Sequence, residues 1–398
     1  MKLAARLNQL GTENAFEVLS EVNTLKAAGR DIVSFAIGEP DFDTPEHVKQ
    51  AGIKAIQNNH THYGPSAGIP ALREVIADYI AGTRHIAVNP DEVVVTPGGK
   101  PIIYFTLHAL INPGDEVLYP NPGFPIYESV IRFVGGIPVA IPLLEEKEFS
   151  LDTTELAKLI TPRTRLIILN SPQNPTGGLL TREDLEQIAQ LAIKHDLWVL
   201  TDEIYSRIIY GNEFFSISSL PGMKERTIIL DGFSKTYAMT GWRLGYGVMN
   251  KQLATHIARL ETNCESCTNT FVQHAGIEAL TGPQQFVTAM VSEFKIRRDL
   301  IVQGLNTLPG FSCKVPGGAF YAFPNVTDAC RQLDFADSKA LQHYLLHTAG
   351  VAALPRTAFG KKNSGETGEY LRFSYATSQP NILEGLYRMK AALLARSK

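Results

Sequence analysis

Lys235 stands in the segment Asp231-Gly232-Phe233-Ser234-Lys235-Thr236-Tyr237, directly after the apolar run Thr227 to Leu230. A lysine held between an apolar strand and aromatic side chains loses hydration; its pKa falls, and the freed amine can attack a carbonyl carbon. Most lysines are solvated surface groups, and what separates this one from them is the company it keeps. Asp202 puts a carboxylate at the end of the run Trp198 to Asp202, with the Tyr205 phenol one helical turn beyond it. Taken alone, Asp202 reads equally well as a helix N-cap. Asn174 offers a neutral amide donor in the loop Ser171-Pro172-Gln173-Asn174-Pro175-Thr176-Gly177-Gly178, which its prolines and glycines hold in an irregular shape. Gly98-Gly99-Lys100 follows Val93 to Thr96 and feeds an apolar helix beginning near Ile102. A glycine turn at a helix N-terminus presents free N–H groups to an anion, most often a phosphate. By itself each of these loops is an ordinary turn.

Together they form a set. A lysine for a Schiff base, an acid for a ring nitrogen, donors for a phenolic oxygen and N–H or cationic groups such as Arg243 for a phosphate are what pyridoxal phosphate (PLP) asks of a protein. No other common cofactor needs all four.

Such residues act together only if the fold brings strand ends to one place. Short aliphatic or β-branched runs at Val93–Thr96, Glu116–Tyr119, Arg165–Asn170, Trp198–Asp202 and Thr227–Leu230 read as strands. Helical periods lie between them. Leu72, Val75, Ile76, Tyr79 and Ile80 recur at helical spacing after Pro70, and Thr181 with Asp184 makes a capping-box start for a second helix. This is an α/β pattern with a mostly parallel sheet, in which ligands bind beyond the carboxyl ends of strands. The last hundred residues read differently: a long helix over Phe286–Leu305, short strands at Gly318–Phe323 and Tyr370–Tyr375, and a closing helix over Asn381–Ala395, an α+β arrangement.

Composition bounds the rest. A chain of 398 residues with 44% hydrophobic and 19% charged residues and a net charge of -3 reads as an ordinary globular protein, with no basic tail for nucleic acid. The longest apolar run, Ile102 to Ile111, falls short of the ~20 residues of a membrane span. No signal peptide is read at the N-terminus, so a cytoplasmic address is expected. The four cysteines fit a reducing compartment. Cys264 and Cys267 are expected as buried small hydrophobes, His60 and His62 as solvated loop, and the Gly360–Gly365 stretch as a surface turn. No metal-site spacing is present, and no metal is expected.

The sequence resembles the class I/II aminotransferases of PLP fold type I, nearest the bacterial aspartate aminotransferase branch, over nearly its whole length. The likeness is carried by Ile37-Gly38-Glu39-Pro40-Asp41-Phe42, His62-Tyr63-Gly64-Pro65, Asn170 through Gly177, Asp202-Glu203-Ile204-Tyr205, Ser234 through Arg243, Gly317-Gly318-Ala319-Phe320-Tyr321 and Tyr370-Leu371-Arg372-Phe373-Ser374-Tyr375. It implies a large cofactor-binding domain over 46–285 with a seven-stranded, mostly parallel sheet between helices. A smaller α+β domain would be formed by 1–45 and 286–398, and the implied assembly is a homodimer. It implies that Lys235 anchors PLP and shuttles the Cα proton, that Asp202 pairs with the ring nitrogen, and that Tyr205 and Asn174 bond the phenolic oxygen. Phe124 would stack on the ring. Gly98, Gly99, Lys100, Ser234 and Arg243 would surround the phosphate, joined by Tyr63 from a neighbouring subunit. Arg372 would grip the substrate α-carboxylate near Gly38 and Asn174.

Two positions depart from the family pattern. Gly232 replaces a serine that touches phosphate in many relatives, and Glu13 stands where the aspartate branch often has a hydroxyl. Lys100 at its position suits an acidic substrate; Glu13 beside it would shift preference toward neutral or basic side chains. Substitution Glu13→Ser is expected to raise kcat/KM for aspartate. A PLP-dependent β-lyase or an aminocyclopropane-carboxylate synthase type would show the same lysine site. A PLP-binding transcriptional regulator is not expected, because the chain as read leaves no room for a DNA-binding module. The near match of Gly232-Phe233-Ser234-Lys235-Thr236 to a hydrolase elbow lacks its final glycine.

Overall fold

The computed structural model describes residues 2–11, 14–211 and 213–396. Glu13, weighed above for specificity, lies outside them. Continuous aliphatic runs become strands buried on both faces: every residue of Val93–Thr96, Glu116–Asn121 and Thr227–Gly232 is buried. The central sheet runs in the order Val93–Thr96, Gly245–Val248, Thr227–Gly232, Trp198–Asp202, Thr164–Asn170, Glu116–Asn121, Ile137–Leu144, Ser150–Leu151. Gly245–Val248 pairs antiparallel with both neighbours, and from Thr227–Gly232 out to Ile137–Leu144 all pairs are parallel. The sheet therefore has eight strands rather than seven. The extra one, Ser150–Leu151, is a two-residue antiparallel edge, too short to leave a periodic signal.

Helices cover the sheet as their apolar stripes require. Pro70–Arg84 starts with proline at its first position and buries Leu72, Ile76 and Ile80, while Arg182–Lys194 opens on the full Thr181/Asp184 capping box. Burying each such aliphatic side chain contributes about 1.5–3 kcal/mol. The C-terminal part gathers Gln285–Leu305 against Gln379–Arg396, with Phe294, Ile301, Leu305, Ile382 and Met389 in one core. Its three-stranded antiparallel sheet has the order Tyr321–Ala322, Leu371–Ser374, Leu354–Pro355. The strand expected over Gly318–Phe323 is thus only two residues long, since Gly318 makes only an isolated antiparallel bridge to Ile209 and Ala319 and Phe320 belong to a turn, Ala319 with φ 57°. A short parallel pair, Val33–Ser34 with Val351–Ala352, ties an N-terminal segment to this part of the chain.

Two minor expectations are corrected. Cys264 is exposed at the end of the Lys251–Cys264 helix, and Cys267 is half-buried with its Sγ accepting from the Gly64 N–H at 3.4 Å. The Gly360–Gly365 stretch is no free surface turn: Asn121 Nδ2 donates to Lys361 O and to Asn363 Oδ1, each at 2.8 Å. No helix among the described residues is long and apolar enough to cross a membrane.

Candidate active site

Sheet register assembles the site. Asn170 lies opposite Asp202, and Asp202 opposite Leu230, so adjacent parallel strands end abreast. Asn170 Nδ2 donates to Asp202 O at 3.1 Å and locks two of those ends together. Beyond Gly232 the chain turns into a single short helix, Phe233–Thr236, that carries Lys235. A Cβ on Gly232 would come within 3.0 Å of Gly245 Cα on the neighbouring strand, so glycine lets the two strands approach closely here. Past these strand ends opens a cavity of about 570 Å³ whose lining includes Lys235, Asp202, Tyr205, Asn174, Phe124 and Arg372.

Lys235 Nζ donates to Gly38 O at 2.6 Å. Asp202 is buried, accepts from Tyr127 Oη at 2.6 Å and from the Ile204 N–H at 3.3 Å, and no helix follows it, so it is not an N-cap. Burial pushes the Asp202 carboxyl up to about 6, with the Tyr127 hydrogen bond holding it lower than burial alone would. The buried Tyr205 hydroxyl lies 2.8 Å from that of Tyr321. Arg372, buried on the Leu371–Ser374 strand, donates from Nη1 to Asn174 Oδ1 at 3.0 Å and from Nη2 to Ala36 O at 2.5 Å. Its guanidinium lies 4.5 Å from the Tyr321 ring centroid, against a face that supports a cation. Gly38 leaves room for the Tyr321 hydroxyl, which a Cβ would strike.

At the opposite corner Gly98 has φ 92°, and a Cβ there would collide with the Arg243 guanidinium; one on Gly99 would meet Leu230 Cδ2 at 2.9 Å. Both glycines therefore keep bare backbone at the start of the Lys100–Leu110 helix. Ser234, Lys100 and Arg243 line the same space, and the Lys100 ammonium lies 5.5 Å from the Phe124 ring centroid. Tyr63 does not line this cavity; it is 89% exposed, on a loop held by the Gly64 bond to Cys267 and by Thr270 Oγ1 donating to His62 O at 2.8 Å.

Sequence reasoning missed two supports. Tyr127, fully buried and edge-on to Phe124 with ring centroids 5.7 Å apart, was hidden in a segment noted only for Phe124. Arg84 lies behind the strand ends, donating to Glu203 Oε2 at 2.9 Å and Asp231 Oδ2 at 2.8 Å, all three buried. Each acid adjoins a strand end that carries the site, and three residues at separations of 119 and 147 leave no local signal.

The donor set fits PLP on its own chemistry. A desolvated carboxyl stands where a ring N–H⁺ would restore its charge, and bare glycine backbone with an arginine stands where a phosphate would need N–H groups. An α/β sheet that ends in a buried acid, a lysine and an arginine around one cavity defines a PLP enzyme of fold type I. Residues 30–388 match the family model for aminotransferase class I and II. The chain is 39% identical to the probable aspartate/prephenate aminotransferase of Aquifex aeolicus, over 98% of each chain. It is 40% identical to aromatic-amino-acid aminotransferase 2 of Thermococcus litoralis, over 91% of this chain and 92% of that one. The crystal structure of the aspartate aminotransferase from Rhizobium meliloti superposes with a TM-score of 0.93 at 35% identity, covering 99% of both chains. The chain belongs to the class I and II aminotransferases, enzymes that depend on PLP for transamination.

Proposed function

We propose that this aminotransferase moves the amino group of an L-amino acid to a 2-oxo acid in a ping-pong cycle carried by Lys235, with aspartate or glutamate and 2-oxoglutarate as favoured substrates. The observation that carries this reading is the single cavity faced by Lys235, Asp202 and Arg372. Pyridoxal phosphate, when bound, supplies an aldehyde carbon for the amine and a conjugated ring into which electrons left at Cα can drain.

The chain's own residues do the rest. Lys235 attaches the cofactor and, once displaced by the incoming amine, moves the proton at the substrate Cα. Asp202 holds the proton on the ring nitrogen, and Tyr205 and Asn174 donate toward the phenolic oxygen. Phe124 covers one ring face. Gly98, Gly99, Lys100, Ser234 and Arg243 hold the phosphate, with Tyr63 of a second copy of the chain completing the set in a cytoplasmic homodimer. Arg372 orients the substrate α-carboxylate as a fork, beside Gly38 and Asn174. Lys100 faces the distal carboxylate of an acidic substrate, and Glu13 tunes that preference. In this reading 46–285 form the cofactor-binding domain and 1–45 with 286–398 the smaller one.

A panel of single amino acids with 2-oxoglutarate as acceptor tests the substrate. Aspartate should give the largest kcat/KM, with oxaloacetate formed in step with glutamate. An aromatic or neutral donor turning over faster would overturn the acidic preference, and release of ammonia in place of glutamate would indicate a lyase.

A further inference from the structure

Away from the cavity, three metal-ligating side chains meet across two elements distant in sequence. His343 lies on the helix Ser338–Tyr344, and His347 one turn later in the wider-wound Leu345–Ala349 that continues it, a spacing that puts both imidazoles on one face. Their ring centroids are 4.1 Å apart. Glu21, on the N-terminal helix Asn14–Ala27, brings Oε1 to 2.8 Å from His347 Nε2. One ligand atom from each of the three lies within 4.8 Å of the others. The cluster opens to solvent: His343 is exposed, and the His347 and Glu21 side chains keep 35% and 40% of their surface. Arg30 adds a hydrogen bond to His347 O at 2.5 Å, which fixes the same two segments beside the cluster.

We propose that Glu21, His343 and His347 form a surface site for one divalent transition ion of the zinc type, separate from the reaction centre. Two imidazoles and a carboxylate are a donor set that such ions take in preference to magnesium or calcium, which favour oxygen-only shells. Bonds of about 2.0–2.2 Å in a tetrahedron need ligand atoms roughly 3.3–3.5 Å apart, reached from the present spacing by small side-chain rotations. Three protein ligands leave the fourth position to water. The residue separation of 326 between Glu21 and His347 hid the site from any spacing motif.

The position matters for the N-terminal helix. Leu19 lines the cavity, and residues two apart on a helix point to nearly opposite faces. An ion on Glu21 therefore ties to the C-terminal part of the chain the helix whose other face borders the cavity.

Calorimetric titration of metal-stripped holoenzyme with zinc chloride tests the site, with Cys264→Ser included because that thiol is exposed. Wild type and Cys264→Ser should each bind one zinc with equal affinity. Loss of an outer partner alone costs about ten- to a hundredfold in metal affinity, so His343→Ala, His347→Ala and Glu21→Gln should each weaken binding at least about tenfold. Zinc should also slow amide exchange across Asn14–Ala27 in wild type but not in His347→Ala. Absence of zinc binding, or histidine variants that bind as tightly as wild type, would overturn the site. Binding without slowed exchange, or with Glu21→Gln unaffected, would overturn the bridge between the two segments.

Discussion

Tyr127, in the wall of the cavity, donates its hydroxyl to Asp202 at 2.6 Å, joining residues 75 positions apart. Burial alone drives the Asp202 carboxyl toward its neutral form, and this hydrogen bond opposes that drift. A hydrogen bond to a charged group contributes about 1.5–3 kcal/mol. Tyr127→Phe should therefore weaken PLP binding roughly ten- to a hundredfold. Titration of apo-enzyme followed by fluorescence quenching measures this; an unchanged affinity would show that Tyr127 serves packing alone.

Cofactor binding should depend on pH in one direction. The free chain's Asp202 carboxyl is pushed up to about 6, so above that pH it is already the carboxylate that a ring N–H⁺ requires. Below it, binding must first expel a proton. Affinity should be level above about pH 6.5 and fall by up to about tenfold for each unit below 6. The same equilibrium titration repeated from pH 7.5 to 5 gives the profile, and Asp202→Asn should flatten it while lowering affinity throughout. A wild-type profile that stays level down to pH 5 would remove Asp202 from this role.

Arg84 holds two buried acids at once, and its removal leaves both without their cation. Breaking a buried pair costs about 3–5 kcal/mol, because the surviving charge keeps its desolvation penalty. Arg84→Ala should lose stability on that scale in urea unfolding of the apo-enzyme. Arg84→Lys, which keeps the charge but not the fork, should fall between. A loss under about 1 kcal/mol would mean that Glu203 and Asp231 are satisfied by Ser206, Ser216 and Thr201, which also bond within this cluster.

Arg372 presents a planar fork already oriented by Asn174 and by the Tyr321 ring. Lysine can place one charge there but not two parallel N–H donors. Arg372→Lys should raise KM for the amino acid on the order of ten- to a hundredfold, with a smaller change in kcat. Steady-state kinetics with saturating 2-oxo acid checks the split; a loss in kcat at constant KM would assign Arg372 to the chemical step instead.

How much of this was legible in the sequence follows from range. The aliphatic runs around Ile167, Leu200 and Ile229 announced strands because burial on both faces demands unbroken apolar sequence. The Thr181/Asp184 box announced a helix because capping is settled within four residues. Lys235, Asp202 and Asn174 could be singled out because each follows or sits on a readable strand, Arg372 only through the family resemblance, and all four line the one cavity. Tyr127, Arg84 and Glu21 could not, since each acts through a partner at least 75 residues away, and register and packing alone set those encounters. The two-residue strands were equally hidden, being too short to show a period.

Everything assigned to the cavity depends on Lys235 being the amine that holds the cofactor. Borohydride reduction of the PLP-loaded enzyme, followed by peptide mapping, tests this most directly. Wild type should yield one pyridoxyl-labelled peptide, modified at Lys235, and Lys235→Ala should yield none while still binding the cofactor reversibly. A label on another lysine, or a covalent chromophore retained by Lys235→Ala after reduction, would contradict the account.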